Sequence, residues 1–504
     1  MAFLIKLPFL VILSGLGAIA MMVPMAHAIR IGDFFTARVF LHSGILFFLL
    51  TGLVAIATAN YQPRITARSH LIALLGAFLV LPVILAYPLY FLIPGVSYFQ
   101  LYFEMVSSLT TTGATVFEDP ARLSEPVHLW RAFVGLLGGF LMLVSAVAIF
   151  APLNLGGFEV YSAGPTNGRA RGLARIKAAD VSERLVSYAL KFAPIYFGAT
   201  ALLAFLLLLS GERAFIAVIH AMSTLSTSGI VAREGLAGSS GGFVEEILIF
   251  LFLFFAVSRI MFTTDRSALT LKSLWQDYEV RLMLFFLTVL PVLLFMRHWY
   301  GAFEVNDQEN APAALLALWG SVFTTLSFLT TTGFESAHWS AAQNWSGLHT
   351  PGIILIGLAV MGGGVATTAG GIKLLRVYAL YKHGMREMQK LSFPSSIGGA
   401  GKVARHIRRE GAYIAWLFFM LFAISTAGIM VGLSLTGLNF EQSLTFAVSA
   451  LSTTGPLASA VLENGADYAL LDDAARGILC LAMVIGRLET LAIIALLNPE
   501  FWRP

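Results

Sequence analysis

The chain has 504 residues, 58% of them hydrophobic and only 12% charged, with a mean hydropathy of +0.81. A soluble domain carries roughly a quarter charged residues, so this composition excludes a soluble enzyme and describes a polytopic membrane protein. Net charge is +4, and a single cysteine, Cys480 in an apolar run, excludes a disulfide framework and any cysteine-based metal site.

Apolar runs predict helices near 3–27, 39–59, 71–93, 128–150, 185–209, 243–262, 280–298, 351–380, 410–435 and 474–497. The first run precedes Ala26-His27-Ala28, a tripeptide of the signal-peptidase kind. It is long for a signal sequence, so a retained first helix is expected. Shorter segments near 98–111, 214–227, 313–331 and 441–453 are too short or too hydroxyl-rich to be comfortable spans.

If each short segment dips in and returns on the same side, the loops sort by charge. One side then carries Arg64, Arg68, Arg169, Arg171, Arg175, Lys177, Lys382, Arg386, Lys390, Lys402, Arg405, Arg408 and Arg409, and should be cytoplasmic. The other carries Glu118, Asp119, Glu304, Asp307, Glu309, Asp467, Asp472 and Asp473. Turning any short segment into a full span would invert the later loops and ruin this sorting.

Each short segment ends in nearly the same phrase. Ser108-Leu109-Thr110-Thr111-Thr112-Gly113, Thr224-Leu225-Ser226-Thr227-Ser228-Gly229, Phe328-Leu329-Thr330-Thr331-Thr332-Gly333 and Ala450-Leu451-Ser452-Thr453-Thr454-Gly455 recur at intervals of roughly a hundred residues. One such phrase reads as a helix-packing contact of small residues; four in register read as an ion-selectivity filter. A dehydrated cation must recover its hydration from oxygens at fixed positions, and backbone carbonyls carry no net charge and do not titrate. Glycine tolerates the unusual dihedrals this demands. A half-helix pointing its C-terminus at the pore adds a partial negative charge. The candidate ion-binding strands are Thr111, Thr112, Gly113; Thr227, Ser228, Gly229; Thr331, Thr332, Gly333; and Thr453, Thr454, Gly455.

The expected architecture is all-α: a leading helical pair (1–63), then four pseudo-repeated units of helix, pore loop and helix around a central pore, at 64–165, 166–275, 276–400 and 401–504. The run Gly362, Gly363, Gly364, Val365, Ala366, Thr367, Thr368, Ala369, Gly370, Gly371 falls inside the expected span 351–380. Glycine costs roughly 1 kcal/mol per residue in a helix interior, so an unwound loop lining a cavity is expected there. The alternative is a close seam between helices. Arg487 reads as the only arginine deep within a span, and the spans look nearly free of carboxylates apart from Glu489. A salt bridge to another helix is the bland account of Arg487.

These stretches, with the Lys373 that closes the glycine run and Gly486-Arg487-Leu488-Glu489, resemble the Trk/Ktr/HKT superfamily of potassium-uptake proteins, TrkH type, over essentially the whole chain. The resemblance implies uptake of potassium across a bacterial inner membrane, with potassium selectivity where all four filter glycines are present. It implies a gate beneath the filter formed by Gly362, Gly363, Gly364, Thr367, Thr368, Gly370, Gly371 and Lys373, with Arg487 near the pore. It also implies a homodimer with one pore per subunit and a TrkA-like cytoplasmic regulator that binds nucleotides. Glu104, His220 and Glu441 match the family pattern on the pore helices and are expected to buttress the filter. Ser228 for threonine, Pro456 after the fourth glycine and Glu335 after the third depart from the pattern. No enzyme chemistry, resident cofactor or nucleic-acid partner is expected, since no catalytic triad, zinc-ligand pair or nucleotide-binding glycine loop is present. A proton- or sodium-coupled transporter is the rival reading, and it would need an intramembrane carboxylate relay.

Overall fold

The computed structural model describes residues 7–58, 66–117, 119–152, 157–158, 181–233, 235–236, 238–262, 271–301, 311–347, 352–393, 409–462 and 468–489. Among them every regular element is helical. Helices α1 (Phe9–Ala20) and α2 (Met22–Ile31) together make one apolar stretch, followed by α3 (Phe34–Thr58) and α4 (Thr66–Leu92). Then come α5 (Tyr98–Leu109), α6 (Glu125–Ser145), α7 (Val181–Leu209), α8 (Ala214–Ser226), α9 (Gly242–Leu253), α10 (Leu271–Gln276) and α11 (Tyr278–Gly301). The chain continues with α12 (Ala311–Leu329), α13 (Trp339–Ser346), α14 (Gly352–Met361), α15 (Leu374–Ser392), α16 (Arg409–Leu435), α17 (Phe440–Leu451), α18 (Leu457–Val461) and α19 (Asp473–Leu488).

Among the described residues seven stretches are long and apolar enough to cross a membrane: Phe9–Ile31, Phe34–Thr58, His70–Leu92, Glu125–Phe150, Glu183–Leu209, Tyr278–Arg297 and Gly411–Leu435. Their exposed faces carry large apolar side chains, such as Leu53, Ile56, Leu209 and Val431, as a lipid-facing surface requires. The expected span 243–262 is broken. Helix α9 stops at Leu253, and the chain continues in short 3₁₀ turns at Phe254–Ala256 and Arg259–Phe262. The expected span 351–380 is also interrupted, between α14 and α15, where the glycines fall.

The four short segments become α5, α8, α12 and α17. Two carry the same N-terminal device. Ser97 and Gln100 form a capping box on α5, and Asn439 and Gln442 form one on α17. The packing runs in a ring: α5 on α6, α6 on α8, α8 on α9, α9 on α12, α12 on α14, α14 on α17, α17 on α19, and α19 back on α5. Two glycines permit close approaches between neighbouring helices of this ring. A Cβ at Gly138 of α6 would collide with the Leu109 carbonyl at the end of α5, and one at Gly486 of α19 with the Leu451 carbonyl at the end of α17.

The basic stretches 163–180, 263–270 and 394–408, and the acids Glu118, Glu304, Asp307, Glu309 and Asp467, lie outside the described residues.

Candidate ion pathway: four helix ends and the loop beneath them

All four short helices end in the same way. The amide of Thr112 donates to the Ser107 carbonyl at 2.8 Å, and that of Thr111 to the Ser108 carbonyl at 3.0 Å. The same two bonds recur as Ser228 to Ser223 (3.0 Å) and Thr227 to Thr224 (3.2 Å), Thr332 to Ser327 (2.9 Å) and Thr331 to Phe328 (3.1 Å), and Thr454 to Ser449 (2.9 Å) and Thr453 to Ala450 (3.2 Å). This is a Schellman termination, which normally places glycine in the left-handed position. Here a threonine holds it each time: Thr111, Thr227, Thr331 and Thr453 have φ between 54° and 58°. A β-branched residue in this region costs on the order of 1–3 kcal/mol and persists only where its surroundings enforce it. Hydroxyl pairs two residues apart brace each turn: Thr110–Thr112 at 2.8 Å, Ser226–Ser228 at 3.0 Å, Thr330–Thr332 at 3.1 Å and Ser452–Thr454 at 3.1 Å.

The strands that follow meet one another. A Cβ on Gly113 would strike the Ser228 carbonyl oxygen, and one on Gly229 the Thr332 carbonyl oxygen. One on Gly333 would press on Pro456, and one on Gly455 on Gly113 and Ala114. The order around the ring is therefore first, second, third, fourth, first. Gly113, Gly229 and Gly333 have φ of 76°, 64° and 82°, whereas Gly455 has no positive φ. The fourth strand also differs in its contacts. The Gly455 amide donates to the Thr112 carbonyl at 2.6 Å, and the Pro456 ring lies against Gly229 as well as Gly333.

Buried groups behind the strands fix the chain at and beyond their glycines. Glu104 of α5 pairs with Arg131 of α6 at 2.6 Å and accepts the Val116 amide at 3.0 Å. Glu246 of α9 accepts from the Trp319 indole at 2.7 Å, the Ser336 hydroxyl at 2.8 Å and the Ala337 amide at 2.6 Å. The Tyr468 hydroxyl donates to the Gly455 carbonyl at 3.0 Å. His220 of α8 meets Glu245 of α9 at 2.6 Å. Of the three expected buttresses, Glu104 and His220 are buried and partnered, while Glu441 is exposed in the first turn of α17.

Residues 362–373 form a loop on the threonine side of the ring. Its ends are tied together by the Ile372 amide to the Val360 carbonyl and the Lys373 amide to the Met361 carbonyl, both 2.9 Å. The backbones at Gly362 and Gly371 pass so closely that neither has room for a Cβ. The tip is fastened on several sides. The Gly370 amide donates to the Thr331 hydroxyl at 2.7 Å, and the Thr368 hydroxyl to the Leu225 carbonyl at 3.1 Å. The Gly364 amide and the Thr367 hydroxyl both donate to the Ala256 carbonyl, at 3.0 and 2.9 Å. That carbonyl is presented by the 3₁₀ turn where α9 has unwound. Glu279 of α11, fully buried, accepts the Val365 amide at 2.7 Å. Lys373, φ 84°, bonds the Ala369 carbonyl through Nζ.

Arg487 of α19 is 3% exposed and donates from Nη1 to the Thr368 carbonyl at 2.6 Å. Its Nε and Nη2 have no hydrogen-bond partner among the described residues. It makes no salt bridge there. Glu489 pairs instead with Arg376 of α15 at 2.7 Å, and the Arg376 guanidinium stacks 3.8 Å above the Phe418 ring.

Two sequence expectations are corrected. Arg487 is not the only arginine buried in the helices: Arg131, Arg376 and Arg476 are as well. Nor is Glu489 nearly alone, since Glu104, Glu245, Glu246 and Glu279 are buried too. Arg131, Arg376 and Arg476 meet carboxylates, Glu245 meets His220 and Glu246 accepts several hydrogen bonds, and such partners make burial tolerable, whereas Glu279 accepts only the Val365 amide among the described residues. Glu246, next to Glu245, and Glu279, two residues after Asp277, read in the sequence as ordinary acids near the start of a helix and carry no spacing signal. Among the described residues no group of histidines and carboxylates is arranged to hold a metal.

The TrkH family, described as cation transport protein, matches residues 36–502. The chain belongs to this family. It is 30% identical over 405 residues to the Trk system potassium uptake protein TrkH of Halomonas elongata, covering 80% of this chain and 79% of that one. It is 28% identical over 420 residues to the Vibrio parahaemolyticus TrkH, covering 81% of each chain. It is 26% identical over 470 residues to the Escherichia coli TrkG, covering 92% of each. The crystal structure of the potassium transporter TrkH from Vibrio parahaemolyticus superposes with a TM-score of 0.83, at 23% identity, over 100% of both chains. The all-helical membrane fold expected from the sequence is therefore the TrkH fold.

Proposed function

We propose that this TrkH-family protein takes up potassium across the bacterial inner membrane through a pore whose filter is the ring of Thr111–Gly113, Thr227–Gly229, Thr331–Gly333 and Thr453–Gly455. The observation that carries the reading is the recurrence of one strained helix termination at four places in a closed ring. No packing requirement explains four left-handed threonines at equivalent positions. Helix C-termini facing a common centre favour a cation. The relatives' names point to potassium as the cargo. With a membrane negative inside by 100 mV, each inward cation gains about 2.3 kcal/mol, so uptake needs no hydrolysis. The reading is transport and not enzyme chemistry, and the chain's own residues need no resident cofactor.

The loop 362–373 is the candidate gate, with Arg487 holding it against the inner end of the filter. A homodimer and a TrkA-like nucleotide-binding regulator on the cytoplasmic face complete the proposal. Complementation tests the function: the gene should let a potassium-uptake-deficient bacterium grow at low potassium. Gly113→Ser, whose Cβ would displace the second strand, should lower the potassium-to-sodium flux ratio about tenfold, the equivalent of about 1.4 kcal/mol. An unchanged ratio would remove the ring from the selectivity filter.

A proton- or sodium-coupled cycle on the same scaffold is the second reading. The buried Glu279 against the loop is what favours it, because one of its oxygens has no partner among the described residues. Uptake that changes with the proton gradient at fixed voltage would establish it.

A further inference from the structure

Four neighbours hold the loop 362–373, and three of them do so through polar atoms. The Leu225 and Ala256 carbonyls accept from the Thr368 and Thr367 hydroxyls, the Thr331 hydroxyl accepts the Gly370 amide, and Arg487 donates to the Thr368 carbonyl. The fourth neighbour is the chain leaving α6, the helix that follows the first strand. It meets the loop at the side chain of Val365.

Residues Ala146–Phe150 continue α6 as a π turn, with the Ala151 amide donating to the Ala146 carbonyl at 3.0 Å. Such turns are rare, redirect the helix that contains them and frequently mark functional positions. Beyond it, Gly157 lies directly against Val365. A Cβ on Gly157 would come within 2.2 Å of Val365 Cγ2 and 3.3 Å of Val365 Cβ. Gly157 also has φ 89°, so its conformation and its neighbour both call for glycine. The Arg259 guanidinium lies 5.8 Å above the ring of Phe158, the next residue. Arg259 begins the second 3₁₀ turn of the broken α9, three residues after the Ala256 carbonyl that the loop uses. Val365 is fully buried, in the same apolar cluster as Ala148, Ile149 and Phe150 of the π turn.

We propose that Gly157-Phe158 is a strap that pins the loop 362–373 in its seated position, with Gly157 as the socket for Val365, so that opening requires Val365 to leave that socket. The inference rests on reading the loop as the gate. Amides and hydroxyls released from the polar ties can take water in an open pathway, so those ties cost little net to break. A valine lifted from a fitted apolar socket loses its burial without replacement. The strap therefore adds a resistance to opening that the polar ties do not, and Arg259 on Phe158 keeps it seated against the same turn that holds the loop.

A disulfide across the contact tests it. The 3.3 Å between a Cβ on Gly157 and that of Val365 is close to the roughly 3.8 Å a disulfide spans. Cys480 is the chain's one cysteine, so a Cys480→Ala background leaves a single possible bridge. In that background the full-length protein with Gly157→Cys and Val365→Cys should oxidise to a bridged form, counted by mass after maleimide labelling. With Thr331→Val added, oxidation should lower the cation leak into proteoliposomes about tenfold, and reduction should restore it. Val365→Ala, which keeps the Glu279 bond to the amide, should by itself raise the leak about tenfold, the worth of about two buried methyl groups. It serves if the cysteine pair does not fold. Two thiols that stay free in the folded protein, a bridge that leaves the leak unchanged, or a Val365→Ala variant that stays tight while Thr331→Val leaks would overturn the strap alone. If Val365→Ala and Thr331→Val both stay as tight as the parent, the gate reading fails and the strap with it.

Discussion

The Gly370 amide donates a 2.7 Å hydrogen bond to the Thr331 hydroxyl, so the tip of the intramembrane loop is fastened to the third strand itself. Thr331 is one of the four left-handed threonines, and its hydroxyl faces the loop. In Thr111 and Thr453 the equivalent hydroxyls are buried with no partner among the described residues. One atom thus belongs to both the candidate filter and the candidate gate.

Thr331→Val keeps the shape of the side chain and removes the acceptor. The orphaned Gly370 amide then costs about 1–3 kcal/mol in the seated loop. Cation leak into proteoliposomes should rise about tenfold, whereas Thr331→Ser should leave it near the parent value. A parent-like leak in the valine variant would mean that this bond does not hold the loop.

Glu279 offers a cleaner separation, because it touches the loop and not the strands. Glu279→Gln retains an oxygen for the Val365 amide and should keep the leak low. Glu279→Ala leaves the amide unpaired and should raise the leak by about tenfold on the same scale. Equal leaks in the two variants would assign Glu279 to stability alone, which a thermal-unfolding comparison would register.

Arg487 places a charge, two of whose nitrogens have no partner among the described residues, against the loop carbonyl of Thr368. Arg487→Gln can keep a bond to that carbonyl while deleting the positive charge. Single-channel or flux measurements should show higher cation conductance at equal protein abundance. A change confined to abundance would mean that the arginine serves folding only.

Glu335 follows the third glycine, and burial pushes its carboxyl above the ordinary carboxylate range. As external pH falls, it is protonated before exposed carboxylates are, and the outer mouth loses negative charge. Inward flux should decline in that window by about fivefold or less, as a screened interaction of about 1 kcal/mol allows. Flux through Glu335→Gln should lose that part of the pH dependence; an identical profile would exclude Glu335 as its source.

Much of this site is legible in the chain because it is repeated. A Ser/Thr-rich phrase closing on glycine, written four times, announces four equivalent turns, and the run Gly362–Gly371 announces an interruption. What stays hidden depends on tertiary partners. Nothing around Phe254–Val257 breaks a helix by composition; α9 unwinds there, and the Ala256 carbonyl so released accepts from Gly364 and Thr367. Glu246 and Glu279 look like ordinary acids near helix starts, beside Glu245 and Asp277, and their roles emerge only when Ser336 and Val365 arrive from far along the chain. Arg487 is visible as an anomaly, but its partner, a carbonyl in another segment, has no sequence signature.

The ring is fourfold at its threonines and threefold-plus-one at its glycines. Gly113, Gly229 and Gly333 share one backbone conformation; Gly455 does not, and Pro456 leans across to Gly229 and Gly333. If the ring is the filter proposed above, an ion entering from the glycine side would shed its water against an uneven rim, with one stiff quarter set by a proline. A blocker with near-fourfold symmetry, such as a tetraalkylammonium ion, should then find no matching seat on that face.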